Sequence, residues 1–166
     1  MSAVVSPSAF TACPSRGDHS PPAPENLTYS LTLPSALTSP TIARAATRTV
    51  LTAHGLALMV DPAMQAVAEL TAAACTFTST PEIYLSLRFR DGSLRISAYD
   101  SHPRHTHARL AAACDGRRRG ALRLLACVVR ACQGDWGFGE AHEPGGGTRM
   151  WATIPHGGAA AYAVRP

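Results

Sequence analysis

The residues of this chain whose types and spacing suit chemistry are Glu69, Asp100 and Thr148. Thr148 follows the glycine run 145–147, and small-residue turns beside a hydroxyl often lie where the backbone must approach a ligand closely. Asp100 ends a stretch of alternating apolar residues. Glu69 lies four residues before Ala73 in a helical pattern, a spacing that places both on one helix face. These residues are the first candidates for a ligand site.

Length and composition limit the scaffold that can position such a site. The chain has 166 residues, enough for one domain with its own core. Apolar residues make up 46% and aromatic residues 6%, so packing relies on Ala, Leu and Val. The formal charge of +4 is mildly basic, and no predicted helix has a concentrated basic face, so we expect no DNA binding.

Neither a membrane span nor a signal peptide is expected. No apolar run approaches the roughly 18 residues that cross a bilayer, and the first residues lack a basic region before an apolar one. The five cysteines are odd in number and show no Cys-x-x-Cys spacing. This pattern predicts reduced thiols in a cytoplasmic protein, with a redox-sensor role for Cys127 or Cys132 as an alternative.

The first half of the chain contains clear start and stop signals. Residues 1–26 are rich in Pro, Ser and Ala and are predicted to be a disordered tail. Alternating leucines predict an edge strand over 27–33 that ends at Pro34. Ser39-Pro40 and Asp61-Pro62 are helix starts, which predict helices over 39–54 and 61–75 and a break over 78–81.

A hairpin is the clearest pattern in the chain. Alternating apolar residues over 83–89 and 94–98 flank Asp91-Gly92, a two-residue turn signal. This turn predicts three cross-strand pairs on one face: Phe89 with Leu94, Leu87 with Ile96, and Leu85 with Ala98. The same parity places Asp100 on the inward, apolar face, where a carboxylate needs a specific reason to be.

The second half is less regular. Residues 101–119 form a His- and Arg-rich connection that includes a short helix over 109–114, and a third main helix is predicted over 118–132. Gly134 precedes a strand over 136–141, and the glycine-rich turn leads into a final strand ending at Pro155. Residues 156–166 are predicted to be a flexible tail. The order of elements predicts an α+β fold.

This order and these residues resemble the Bergerat-type ATP-binding domain of histidine-kinase-like ATPases, over about residues 28–155. The small bacterial regulatory proteins that include anti-sigma-factor serine kinases are the subgroup it resembles most. The resemblance implies a two-layer sandwich of a mixed, mostly antiparallel sheet with helices on one face, and a single ATPase-like domain over 27–155.

The resemblance also implies a role for each candidate residue. Glu69 matches the catalytic Glu that positions the nucleophile, and Ala73 stands where the family has the Mg²⁺-binding Asn. Asp100 matches the Asp that binds the adenine amino group, and Thr148 matches the Thr that contacts the nucleotide. The family's second glycine motif opens the third helix and binds phosphates through backbone N–H groups; Gly120 and Leu122 occupy its place here.

The function implied is that of an ATP-binding regulatory protein resembling an anti-sigma-factor serine kinase. Its ligand would be adenine nucleotide, its partner a sigma factor or an anti-sigma-factor antagonist, and a homodimer is considered as its assembly. Because Ala73 offers no oxygen to Mg²⁺, we expect reduced or absent phosphoryl transfer and assign no metal ligand. The alternatives are a nucleotide-free pseudo-ATPase that binds proteins, or an active serine/threonine kinase whose Mg²⁺ is bound by Thr76, Asp115 or waters.

The connection 101–119 carries two further hypotheses. His102, His105 and His107 suggest a metal site, but they have no carboxylate or cysteine support, so a solvated polar loop is favoured. Five arginines over the same region suggest contact with phosphates or with an acidic protein surface, although a solvated run of charges is the favoured interpretation. They are Arg104, Arg109, Arg117, Arg118 and Arg119.

Overall fold

The computed structural model of the protein describes residues 20–141 and 146–163. The strands are β1 (Thr28–Pro34), β2 (Glu82–Arg90), β3 (Ser93–Asp100), β4 (Asp135–Glu140) and β5 (Thr148–Pro155). The helices are α1 (Ser39–Ala53), α2 (Val60–Phe77), α3 (Ala108–Ala121), α4 (Arg123–Ala131) and α5 (His156–Ala163). Two short 3-10 helices span Pro24–Asn26 and Ala57–Met59.

The strands form one sheet in the order β1-β2-β3-β5-β4. Each described pair of neighbours is antiparallel, and β1 lies at an edge, as its terminal proline predicts. The β2–β3 hairpin has the predicted register, with Phe89 opposite Leu94 and Leu85 opposite Ala98. Asp91 and Gly92 have φ of 50° and 69°, the left-handed conformation that a tight hairpin turn requires.

The helices cover one face of the sheet, which confirms the predicted two-layer α+β sandwich. Inward residues such as Leu85, Ile96 and Met150 are fully buried together with Leu70 of α2. The outward residues of the same strands are polar or aromatic, because successive side chains of a strand point to opposite faces. The sheet therefore has one face in the core and one open face.

The helices α1 and α2 begin and end close to the predicted residues. In α1, the Ser39 hydroxyl donates a 2.5 Å hydrogen bond to the Pro34 carbonyl, and Pro40 lies in the first turn, where its missing N–H has no cost. Gly55 follows the helix with φ of 73°, the left-handed conformation that commonly ends a helix.

The third helix differs from the prediction. Instead of one helix over 118–132, α3 runs continuously from Ala108 to Ala121 and α4 follows after Leu122. Alanine and arginine favour helix throughout 108–121, and the two glycines, Gly116 and Gly120, cost only about 1 kcal/mol each. Leu122 caps the end of α3, and the fully buried Leu122 and Leu125 pack at and after this junction into the core.

The two predicted tails need separate corrections. The segment after Pro155 forms α5, in which Ala159 is fully buried, so the predicted flexible tail is wrong for residues 156–163. At the other end, the predicted disorder is contradicted for residues 24–26, which form a 3-10 turn, while residues 1–19 lie outside the described part of the chain. Residues 164–166 also lie outside it.

Within residues 20–141 and 146–163, none of the helices combines the length and the apolar character that crossing a membrane requires. Cys75, Cys114 and Cys127 are free thiols.

Candidate functional site

Two of the predicted site residues meet at one end of the sheet. Asp100 is the last residue of β3 and Thr148 the first residue of β5, and they are directly opposite in the antiparallel register. Both side chains point to the inward face, with relative exposures of 4% for Asp100 and 1% for Thr148. The structure therefore brings together the two residues that the resemblance assigns to nucleotide binding.

Arg118 of α3 fills the space beside Asp100. Its Nη1 donates a 2.6 Å hydrogen bond to Asp100 Oδ2, and its Nη2 lies 3.4 Å from Oδ1. Nη1 also lies 3.0 Å from the sulfur of Met150. Arg118 is 2% exposed, so the cation is as deeply buried as its partner. Burial of a charge is tolerated only where an opposite charge and hydrogen bonds compensate for lost hydration, and Asp100 supplies both.

Two aromatic rings lie near the guanidinium of Arg118. The Cζ atom of Arg118 lies 4.1 Å from the ring centroid of Phe77 and 5.9 Å from that of Phe138. A planar guanidinium is weakly hydrated and is attracted to the negative face of a ring, whereas a lysine ammonium is a compact, strongly hydrated charge. The site therefore suits arginine in particular.

The side chains of Asp100 and Thr148 also form hydrogen bonds to the backbone of the protein. Oδ1 of Asp100 accepts a 2.9 Å hydrogen bond from the backbone N–H of His102. The hydroxyl of Thr148 donates a 2.9 Å hydrogen bond to the carbonyl of His102. Both side chains expected to bind nucleotide thus bind the protein's own groups.

The glycine-rich turn has a structural requirement at Gly147. This residue has φ of 93°, and a Cβ placed on it would lie 2.1 Å from the carbonyl oxygen of Asp100. Glycine is needed because the turn packs backbone to backbone against the end of β3. The group approached is the protein's own backbone, and the expected approach to a ligand stays a prediction. Gly145 lies outside the described residues.

Glu69 does not join this cluster through any polar contact. Of the described residues, none forms a hydrogen bond or ion pair with it, and it is half-buried on α2. Burial raises the pKa of Glu69 above its ordinary value of 4.5. It precedes Phe77 by eight residues, which is about 12 Å along a helix axis. Ala73 between them is 3% exposed, which leaves little room around the position of the missing Asn.

Gly120 and Leu122 lie at the junction between α3 and α4. Gly120 is exposed in the last turn of α3, and the fully buried Leu122 both caps the end of α3 and precedes the first residue of α4, Arg123. These residues therefore stand between two helices, whereas the sequence predicts that they open a single one. Their role in phosphate binding stays a prediction.

Three more arginines of the region also contact protein groups. Both terminal nitrogens of Arg104 bond the carboxylate of Asp115, and this hydrogen bonding lowers the pKa of Asp115. Arg117 lies 5.9 Å from the Phe77 ring centroid, and Arg119 lies 5.5 Å from that of Phe138. The predicted basic region is thus largely organised around the aromatic rings at this end of the sheet.

The open sheet face has a different character. We define it by the outward residues of β2, β3 and β5: Tyr84, Arg88, Arg95, Tyr99, Arg149 and Trp151. A groove of about 370 Å³ lies on it, lined by five of these residues, and the described residues that line it include no carboxylate. Tyr84 and Tyr99 pack edge to face, and Arg95 lies 5.1 Å from the Trp151 ring centroid.

A second groove, of about 550 Å³, is bordered by Asp100. The Asp100 side chain has no exposed surface, so only its backbone can meet this groove.

The connection before α3 contains a cluster of side chains that could bind a metal ion. Among the described residues, this cluster consists of His102, His105 and Cys114. The sequence spacing does not show that a cysteine lies near these histidines. Cys114 comes close to them only because α3 folds back toward the connection.

Comparison with known proteins gives no family assignment. No model of a protein family matches the chain, and no curated protein matches its sequence. Functional conclusions therefore rest on the residues and their geometry.

Proposed function

We propose that this chain is a non-catalytic protein-interaction module, similar in layout to Bergerat-type ATPases but with its nucleotide position filled by Arg118. The observation that carries this proposal is the buried ion pair between Arg118 and Asp100, with 2.6 Å between Nη1 and Oδ2.

The ion pair opposes adenine binding in a direct way. In the resembled family the Asp accepts a hydrogen bond from the adenine amino group, but here both oxygens of Asp100 already accept hydrogen bonds. Adenine would have to displace a buried cation from its carboxylate, and breaking such a pair costs about 3–5 kcal/mol. Ala73 offers no oxygen to a metal ion, and the fully buried Leu122 occupies the cap position at the start of α4. These features disfavour both the binding of adenine nucleotide and phosphoryl transfer from it.

The open sheet face supports the interaction role. It presents Arg88, Arg95 and Arg149 around two tyrosines, without a carboxylate among the described residues of its groove. Arginine and tyrosine are enriched at interface hot spots, and an arginine-rich groove favours an acidic partner. Following the resemblance, we propose that the partner is a sigma factor or an anti-sigma-factor antagonist with an acidic surface patch.

The first experiment is calorimetric titration of the full chain with ATP and ADP, with and without Mg²⁺. We expect no saturable binding at nucleotide concentrations up to the millimolar range. Saturable binding to the wild type that is lost in Asp100→Asn would overturn the nucleotide-free function. It would favour the second candidate, an ATP-binding regulatory protein in which Arg118 leaves Asp100 and contacts a phosphate.

The second experiment measures binding to purified sigma factors and anti-sigma-factor antagonists of the same organism by biolayer interferometry. We expect one of them to bind, and Arg95→Ser with Arg149→Ser to weaken that binding at least about 10-fold, because a charge-complementary interface loses several charge-assisted hydrogen bonds. The matched control, Arg44→Ser with Arg48→Ser, removes two exposed charges from α1 and should leave affinity unchanged. Absence of binding across the panel, or equal loss in the control, would contradict the proposal.

A further inference from the structure

The connection between β3 and α3 gathers three side chains that bind soft or borderline metal ions. One ligand atom each from His102, His105 and Cys114 lies within 4.8 Å of the other two. The imidazole rings of His102 and His105 pack edge to face with 5.1 Å between their centroids. A thiolate with two imidazoles suits Zn²⁺, which takes nitrogen and sulfur ligands in a tetrahedral arrangement.

A second observation comes from His102 itself. Its Nε2 atom is buried and has no hydrogen-bond partner among the described residues. A buried imidazole nitrogen without a partner is unfavourable, and a metal ion would satisfy it.

The backbone around these residues is already fixed. His102 is held through its N–H by Asp100 and through its carbonyl by the Thr148 hydroxyl, each at 2.9 Å. Cys114 lies on the second turn of α3, so its position is set by the helix. Two of the three ligands thus stand on a rigid frame, and His105 lies in the segment between them.

Local charges are compatible with a cation. The nearby guanidinium of Arg118 is neutralised by Asp100, and that of Arg104 is neutralised by Asp115. Arg117 is directed to the Phe77 ring, at 5.9 Å from its centroid. On losing its proton, the Cys114 thiol would add a negative charge at the ion itself.

We propose that His102, His105 and Cys114 bind one Zn²⁺ ion, with water as the fourth ligand. Tetrahedral zinc with these ligands needs ligand atoms roughly 3.3–3.8 Å apart, so ligand atoms that lie within 4.8 Å of one another would close by about 1.5 Å or less. Such a shift is within reach of side-chain rotation. The site is independent of the open sheet face and of the protein partner proposed above.

A metal at this position has a consequence for the buried ion pair. Cys114 and Arg118 are four residues apart on α3 and therefore lie on the same helix face, one turn from each other. Zinc would tie the segment 102–105 to the turn of α3 that precedes Arg118. The ion would thus help to keep Arg118 against Asp100 and to keep the nucleotide position filled.

The test uses the full chain after treatment with a chelator, titrated with Zn²⁺ and, in parallel, with Co²⁺. We expect one Zn²⁺ per chain by calorimetry, a rise in Tm on binding, and a thiolate-to-cobalt charge-transfer absorption. Cys114→Ser should abolish the charge-transfer absorption, and Cys114→Ser and His105→Gln should each weaken Zn²⁺ binding by more than about 10-fold. Both residues are only partly buried, so these variants should fold.

Two matched controls separate this site from adventitious binding. Cys127→Ser removes an exposed thiol elsewhere, and His107→Gln removes an exposed histidine at the end of the same connection. Neither variant should change the number of Zn²⁺ ions bound per chain or the affinity for Zn²⁺. Absence of tight binding by the wild type, or an equal loss of binding in the control variants, would overturn the proposed site.

Discussion

Nη1 of Arg118 lies 2.6 Å from Oδ2 of Asp100, and the side chains of the two residues are 2% and 0% exposed. The pair connects α3 to the end of β3 across the core. The hairpin parity predicts a carboxylate at this inward position, and the reason for its presence is the arginine that neutralises it. This relationship links the fold to the proposed function, because the same carboxylate would have to be free for adenine to bind.

The ion pair predicts a large and asymmetric effect of substitution. Arg118→Met should destabilise the protein by about 3–5 kcal/mol, because it leaves the Asp100 carboxylate buried without a counter-charge. Arg118→Met combined with Asp100→Asn should recover part of that loss, as measured by urea denaturation in a double-mutant cycle. Arg104→Met is the control, since its pair with Asp115 is partly exposed, and it should cost about 1 kcal/mol or less. Equal effects of Arg118→Met and Arg104→Met would contradict a buried pair.

Gly147→Ala should destabilise the protein by about 2 kcal/mol or more. The new Cβ would meet the Asp100 carbonyl, and the φ of 93° is strained for alanine. Gly116→Ala provides the comparison, because this position lies inside α3 with open space around it and should gain up to about 1 kcal/mol of stability. Thermal unfolding of both variants measures the contrast. A neutral Gly147→Ala would mean that the turn does not pack against β3.

The helix α5 can be tested with two adjacent glycines. A Cβ on Gly158 would lie 1.7 Å from the Cys132 carbonyl oxygen, whereas one on Gly157 would meet nothing within 4 Å. We expect Gly158→Ala to cost about 1–3 kcal/mol through overpacking and Gly157→Ala to be neutral or slightly stabilising. The free energy of unfolding of the two variants gives the answer. A flexible tail after Pro155 would make both substitutions neutral.

Glu69 predicts a pH-dependent change in stability. Burial raises its pKa in the folded state above 4.5, so the folded protein holds this proton more tightly than the unfolded chain. The contribution of Glu69 to the stability of the folded protein is fully present below pH 4.5. It is lost as the pH rises through the pKa that Glu69 has in the folded state. Glu69→Gln, which cannot ionise, should therefore be more stable than the wild type at about pH 7 and similar to it near about pH 4. Urea denaturation at both pH values measures this, and a Glu69→Gln variant that is less stable at the higher pH would show that the ionised carboxylate has a favourable partner.

The sequence by itself determined the features that follow from local periodicity. The two-residue period over 83–98 fixed the hairpin register and the inward position of Asp100, since an odd shift would expose every apolar residue of the hairpin. Start and stop signals around α1 and α2 acted within a few residues, so their ends were predictable. These local features are sufficient to predict the α+β class, because they set the type and the order of most elements.

The tertiary structure alone decided how Asp100, Arg118 and Cys114 are used. The ion pair joins Asp100 and Arg118, which are 18 positions apart, so it depends on where α3 begins and how α3 is oriented. The Ala- and Arg-rich sequence of α3 has only a weak apolar stripe, which does not specify that orientation. The sequence pattern therefore predicts a third main helix over 118–132, with Arg118 at its start. Packing against Phe77 instead directs Arg118 into the core, and the same helix brings Cys114 to the two histidines. Such contacts are set by the packing of whole elements, and local patterns do not encode them.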